Sequence, residues 1–125
     1  MATPKQTVLL IDDDEAVLDS MEMLLQLSGL DVECAQTGFE ALEKVKSGFS
    51  PDIIVTDYRL PGLKGIELVR EIRKALNTKL TAIIASGEAE GRLARTAGLQ
   101  EVAILPKPTE AGKLIALIGS LAHAG

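Results

Sequence analysis

Three consecutive aspartates, Asp12-Asp13-Asp14, follow directly on the apolar run Val8-Leu9-Leu10-Ile11. A second apolar run, Ile53-Ile54-Val55-Thr56, delivers Asp57. A third, Leu80 to Ala85, delivers Ser86, and a fourth, Val102 to Leu105, leads into Pro106-Lys107-Pro108. Carboxylates, a hydroxyl and a lysine are the groups that hold a hard cation and a phosphoryl group. Two carboxylates about 4 Å apart repel by roughly 4 kcal/mol at an effective dielectric near 20. A cluster of Asp12, Asp13 and Asp57 therefore raises its own pKa values or recruits a cation. Oxygen donors without histidine or thiol favour Mg2+, or Mn2+, over zinc. Lys107 is a point charge suited to phosphate, and its flanking prolines restrict its backbone. Singly, Ser86 reads as the start of a turn and Lys107 as a solvated charge. Together, at the ends of four strands, they read as one site.

Strand and helix signals alternate along the chain and supply the frame for these groups. The expected strands are Thr7–Ile11, Leu30–Gln36, Asp52–Thr56, Leu80–Ala85 and Glu101–Leu105. The first helix, Glu15–Ser28, carries Val17, Met21, Leu24 and Leu25 at helical spacing and ends at Gly29. Asp14 is placed to cap it. Thr37-Gly38-Phe39-Glu40 forms a capping box for the second helix, which Gly48 closes. Gly65–Leu76 is a third helix, Glu88–Ala97 a short, poorly apolar fourth with Gly91 inside it, and Thr109 caps a fifth. Five strands alternating with five helices, joined by right-handed crossovers, make an α/β fold: a doubly wound parallel sheet with helices on both faces. In such a sheet the C-terminal strand ends share one edge, and ligands bind in the crevice outside it.

Composition narrows the classes. The chain has 125 residues, 46% of them hydrophobic and 25% charged, which suits a single packed domain over residues 1–125, with its core at about 6–122. Net charge is −5 with no basic stripe, so direct nucleic-acid binding is not expected. No apolar run approaches the roughly 20 residues of a membrane helix. The opening Met-Ala-Thr-Pro-Lys lacks the apolar core of a signal peptide, and a cytoplasmic location is expected. The lone cysteine, Cys34, excludes an internal disulfide and reads as a small packed hydrophobe. His123, with no second histidine, reads as a solvated tail residue rather than a ligand.

Four segments, in this order and spacing, resemble the receiver domain of two-component response regulators, the CheY-like superfamily. They are Val8-Leu9-Leu10-Ile11-Asp12-Asp13-Asp14, then Pro51-Asp52-Ile53-Ile54-Val55-Thr56-Asp57-Tyr58-Arg59-Leu60-Pro61-Gly62-Leu63-Lys64-Gly65, then Ile84-Ala85-Ser86-Gly87, and Pro106-Lys107-Pro108. The resemblance covers essentially the whole chain. It implies the flavodoxin-like strand order 2-1-3-4-5. It implies Asp57 as phosphoacceptor from a phosphohistidine of a histidine kinase or histidine phosphotransfer protein. Asp12 and Asp13 match the acidic pair that holds Mg2+, and the Arg59 carbonyl matches its backbone ligand. Ser86 and Lys107 match the hydroxyl and the lysine that engage the phosphoryl oxygens. Such a protein is a self-phosphorylating switch with autophosphatase activity rather than a turnover enzyme. Its output face is the fourth helix, fifth strand and fifth helix, and it acts on a downstream target or an attached effector domain. Both a stand-alone regulator and a piece of a hybrid kinase or larger regulator fit.

The chain also departs from that pattern. Ile104 stands three residues before Lys107, where many receivers carry Tyr or Phe. The fourth helical segment is short, so switching is expected to depend on loop and helix order rather than on an aromatic flip. Arg59 and Glu88, two residues after Asp57 and Ser86, are expected to pair over the phosphate and slow its loss. Asp13→Asn is expected to stabilise the metal-free chain. Three rival readings remain open on residues alone. A haloacid-dehalogenase-type phosphatase shares the aspartate, Mg2+, hydroxyl and lysine, but Asp12-Asp13-Asp14-Glu15-Ala16 matches its nucleophile motif only partly. The others are a receiver-like interaction module that is never phosphorylated, and a flavodoxin, whose anionic flavin phosphate the aspartates would repel.

Overall fold

The computed structural model describes residues 6–87, 89, 92 and 100–123. Five strands, β1 (Thr7–Ile11), β2 (Asp31–Ala35), β3 (Ile53–Asp57), β4 (Thr81–Ser86) and β5 (Val102–Pro106), form one sheet. All pairings are parallel, in the order β2-β1-β3-β4-β5. The helices are α1 (Glu15–Leu27), α2 (Gly38–Lys46), α3 (Gly65–Leu76) and α4 (Ala111–His123). The helix expected over Glu88–Ala97 lies outside the described residues, except Ala89 and Arg92, which are both helical.

The sheet is covered on both faces, and alternation along each strand sorts its side chains between two cores. Leu9, Ile11, Ile54, Ala82 and Ile84 pack with Ala41 and Val45 of α2 and with Leu68, Val69 and Ile72 of α3. Val8, Leu10, Val55, Ile83 and Leu105 pack with Leu18, Met21 and Leu25 of α1 and with Leu114 and Ile118 of α4. Every residue of β3 is buried, as a central strand between two helical layers requires. Burying a Leu or Ile side chain contributes about 1.5–3 kcal/mol, so the buried side chains of both cores fix the helices on their faces. The edge strand β2 instead alternates exposed with half-buried residues, and its exposed Asp31 and Glu33 discourage pairing with another chain.

The caps follow the sequence closely, with three corrections. The Asp14 carboxylate accepts from the amides of Ala16 and Val17, starting α1 as expected. Thr37 Oγ1 accepts from the Glu40 amide at 3.0 Å, the forward half of the expected capping box. Glu40, however, reaches past the cap residue and accepts from the Gln36 amide at 3.0 Å. Thr109 is not the cap of the last helix. The Glu110 carbonyl accepts the first helical bond, from Leu114, so the cap falls one residue later. α1 also stops at Leu27, one residue before the expected end, with Ser28 as its C-cap.

Register matters most for function. Ile11 lies opposite Ala35 and Thr56, Asp57 opposite Ala85, and Ser86 opposite Pro106. Strands β3, β4 and β5 each run one residue beyond the expected end, because the parallel ladder continues through Asp57, Ser86 and Pro106. Two of the polar groups thus belong to the sheet itself rather than to the loops after it.

Candidate functional site

The edge formed by the C-terminal strand ends carries Asp12, Asp13, Asp57, Ser86 and Lys107. Asp12 follows β1, Asp57 ends β3, Ser86 ends β4, and Lys107 follows β5. Backbone bonds hold these ends together. The Asp12 amide donates to the Ala35 carbonyl at 3.2 Å, that of Tyr58 to Ala85 at 2.8 Å, and that of Lys107 to Ser86 at 3.0 Å. Asp12, Asp13 and Asp57 each bring a carboxylate oxygen within 4.8 Å of the other two. Asp57 is buried, Asp12 half-buried and Asp13 exposed.

Lys107 Nζ lies 2.7 Å from Asp57 Oδ1 and 2.8 Å from Oδ2, so one ammonium spans both carboxylate oxygens. Asp57 Oδ1 also accepts from the Arg59 amide at 3.2 Å. Asp12 Oδ1 accepts from the Asp14 amide at 2.9 Å. The Asp12 carboxyl is nevertheless held above the ordinary carboxylate range. Burial is the main cause, and the charges of Asp57 and Asp13 add to it against the Asp14 amide and Lys107. Ser86 is 1% exposed, and its hydroxyl has no hydrogen-bond partner among the described residues. A buried hydroxyl in that state is uncommon and calls for an explanation. The Lys107–Pro108 peptide is cis.

The loop after Asp57 is closed by the Gly65 amide, which donates to the Tyr58 carbonyl at 2.9 Å. Gly65 approaches the acceptor strand so closely that a Cβ there would sit 2.5 Å from the Asp57 carbonyl oxygen. From the sequence, Gly65 reads as the first residue of a helix and the end of the second receiver-like segment, with no contact to Asp57 indicated. Its one local signal was a glycine where a helix start gains nothing from it. Thr56 was read only as a strand residue. It is buried, and its hydroxyl donates to the Asp57 carbonyl at 3.0 Å. Glu88, expected to pair with Arg59, lies outside the described residues. Ile104 is half-buried and packs on the α2/α3 core.

Elsewhere the surface offers less chemistry. A groove of about 510 Å3 runs between β2 and α2, lined by Glu33, Glu40, Glu43, Lys44, Ser47 and Phe49. Its lysine is already paired with Glu33 at 3.1 Å. No described helix is long and apolar enough to cross a membrane.

A flavodoxin-like sheet with three carboxylates, a lysine and a buried hydroxyl at its C-terminal edge is the architecture of a receiver. The model of the response regulator receiver domain family matches residues 8–119, and the chain belongs to that family, whose members are signalling switches of two-component systems. A transcriptional regulatory protein, a CpxR homologue of Haemophilus influenzae, is 38% identical over 116 residues, covering 91% of this chain and 49% of that one. The response regulator MprA of a Mycobacterium species is 34% identical over the same share of each. The chain thus spans about half the length of the curated relatives it matches. Among solved structures, a response regulator receiver protein from Sinorhizobium medicae superposes with a TM-score of 0.85 over 98% of both chains, at 29% identity. A receiver domain from Clostridium thermocellum gives 0.81 over 95% of both, at 28% identity.

Proposed function

We propose that this domain, a single unit over residues 1–125, accepts a phosphoryl group on Asp57 from the phosphohistidine of a histidine kinase or histidine phosphotransfer protein. The observation that carries the reading is the Asp57 carboxylate itself. It is buried, aimed at the same edge as two further carboxylates, and held by Lys107 at 2.7–2.8 Å.

The donor set fits a hard divalent cation. Three carboxylates converge as the metal-ligating cluster among the described residues, all of them oxygen donors, and the Asp12 carboxyl is pushed upward by burial and by its acidic neighbours. Asp12, Asp13, Asp57 and the Arg59 carbonyl would hold Mg2+, and Mn2+ suits the same oxygens. When bound, the cation neutralises charge on the carboxylates and on the phosphoryl oxygens.

The residues divide the remaining work. One Asp57 oxygen attacks phosphorus in line. The new O–P bond forms as the P–N bond to the donor imidazole breaks, and the leaving imidazole takes up a proton. Positioning and electrostatics carry most of such a transfer. Lys107 moves its ammonium from the Asp57 carboxylate to the phosphoryl oxygens. Ser86 supplies a hydroxyl that has no partner among the described residues and can donate to the same oxygens. These contacts exist only in the phosphorylated state, so they shift the equilibrium between two arrangements of the β4 and β5 loops. Hydrolysis of the aspartyl phosphate at the same site resets the switch. The output passes from the region of residues 87–101, β5 and α4 to a downstream protein or an attached effector domain, in the cytoplasm. With Ile104 in place of an aromatic side chain, the β4 and β5 loops rather than an aromatic flip carry the signal.

Incubation with a panel of autophosphorylated histidine kinases tests this reading. Rapid transfer from at least one kinase to the wild-type chain, and none to Asp57→Asn, is expected. Equal transfer to Asp57→Asn would remove Asp57 from the role.

A further inference from the structure

Helix α2 interlocks with the loop that follows Asp57. The neck of that loop is pinned to the sheet, since Tyr58 is bonded to both Ala85 and Gly65. Between the pinned ends, Leu60 is buried in the α2/α3 core and Leu63 packs against it. At the tip, Gly62 has φ +78°, a conformation that strains any L side chain. The ring of Phe39 lies over this residue, so that a Cβ on Gly62 would come 2.9 Å from Phe39 Cε2. The reverse contact is built the same way. A Cβ on Gly38 would come 2.9 Å from Leu63 Cδ2 and 3.1 Å from Leu63 Cβ. Each element therefore presents a glycine to a large side chain of the other.

Phe39 is 61% exposed, so core burial does not account for a phenyl ring at this position. What the ring covers does account for it. We propose that Phe39 is a positioning residue for the cation. Through Gly62 it fixes the tip of the loop, and with it the Arg59 carbonyl three residues earlier. The inference rests on the assignment of that carbonyl as a ligand under the proposed function. The acidic side chains can gather a cation by themselves, but a backbone oxygen is only as well placed as the loop that carries it.

Mn2+ binding to the full chain, followed by the electron paramagnetic resonance signal of free Mn2+, tests the inference, with metal-free thermal unfolding measured alongside. Phe39→Ala should weaken Mn2+ binding about tenfold, the lower end of what loss of an outer support costs a metal site. Its metal-free Tm should stay near wild type, because Phe39 is exposed and belongs to neither core. Phe39→Leu, which still covers Gly62, should recover most of the affinity. Wild-type affinity in Phe39→Ala would overturn the inference. So would an affinity loss that Phe39→Leu shares and that tracks a fall in Tm, since Phe39 would then be merely structural. If the wild-type chain binds no Mn2+, or Asp12→Asn binds it as tightly, the proposed cation site fails and the inference falls with it.

Discussion

The ammonium of Lys107 bridges both carboxylate oxygens of Asp57, at 2.7 and 2.8 Å, across fifty positions of sequence. Asp57 is 7% exposed and the Lys107 side chain 41%. The lysine can swing to solvent, while the carboxylate cannot leave the site. Lys107→Ala strands a buried carboxylate beside Asp12 and should destabilise the metal-free fold by about 1–3 kcal/mol. Asp57→Asn in the same chain should restore most of that loss. Urea unfolding of the two single variants and the double variant checks the coupling, and simple additivity would deny it.

Asp12 shows the opposite sign. Its folded pKa lies above the unfolded value, chiefly through burial, so its ionised form opposes folding. The metal-free chain should therefore lose stability as pH rises through that raised value, and regain it on acidification toward the ordinary aspartate range. Asp12→Asn keeps an oxygen for the Asp14 amide and removes the charge. It should raise the metal-free Tm by about 2–5 °C, the shift that roughly 1 kcal/mol gives a domain of this size. The same variant should lose the stabilisation that Mg2+ gives wild type. Asp13→Asn should stabilise the metal-free chain as well, by a smaller amount, because Asp13 adds to the charge on Asp12 but is exposed and screened by water.

Ser86 separates function from stability. Its hydroxyl is buried and has no partner among the described residues, so Ser86→Ala should leave Tm unchanged or slightly higher. The phosphoryl-dependent change should nevertheless be lost. Amide exchange of residues 87–98, with and without beryllofluoride, reads this directly. Wild type gains protection in that segment and Ser86→Ala does not. Equal protection of the wild-type segment in both states would remove loop ordering from the switch.

Gly65→Ala would place a Cβ 2.5 Å from the Asp57 carbonyl oxygen and 3.2 Å from Tyr58 Cα. Both are backbone atoms, and neither can swing aside as a side chain can. The variant should lose at least about 1–3 kcal/mol in urea unfolding. A stability within error of wild type would show that the loop neck can yield.

Cys34 should be inert. Its thiol is pushed up to about 12, first by burial and then by Glu22, whose carboxylate accepts from Sγ at 3.5 Å, with Glu33 and Asp19 adding to it. At pH 8 the folded chain should be alkylated by iodoacetamide at least roughly a hundredfold more slowly than the urea-unfolded chain, because the thiolate is the nucleophile. Equal rates would contradict that environment.

The acidic edge was legible in the sequence because each of its groups follows an apolar run, and a parallel sheet brings such ends together. Asp12, Asp57, Ser86 and Lys107 needed only the alternation of strands and helices to be placed. The capping roles of Asp14 and Thr37 were legible for another reason, since a cap is a contact over two or three residues. A choice between neighbouring amides, and contacts between distant segments, were not. Nothing local to Glu40 distinguishes the Gln36 amide from that of Thr37, and nothing in Gly65 announces the carbonyl of Asp57 beside it. Phe39 over Gly62 was hidden in the same way, because the two are twenty-three residues apart and meet only once α2 and α3 share a face. The strand ends moved by one residue because ladder bonds, not hydropathy, decide where a strand stops.

Intact-mass spectrometry after incubation with acetyl phosphate tests the central claim most directly. With Mg2+, the wild-type chain should gain one phosphoryl group, lost on alkaline treatment as an acyl phosphate is. Asp57→Asn with Mg2+, and wild type in excess EDTA, should gain none. Labelling that persists in Asp57→Asn, or that ignores EDTA, would contradict the account.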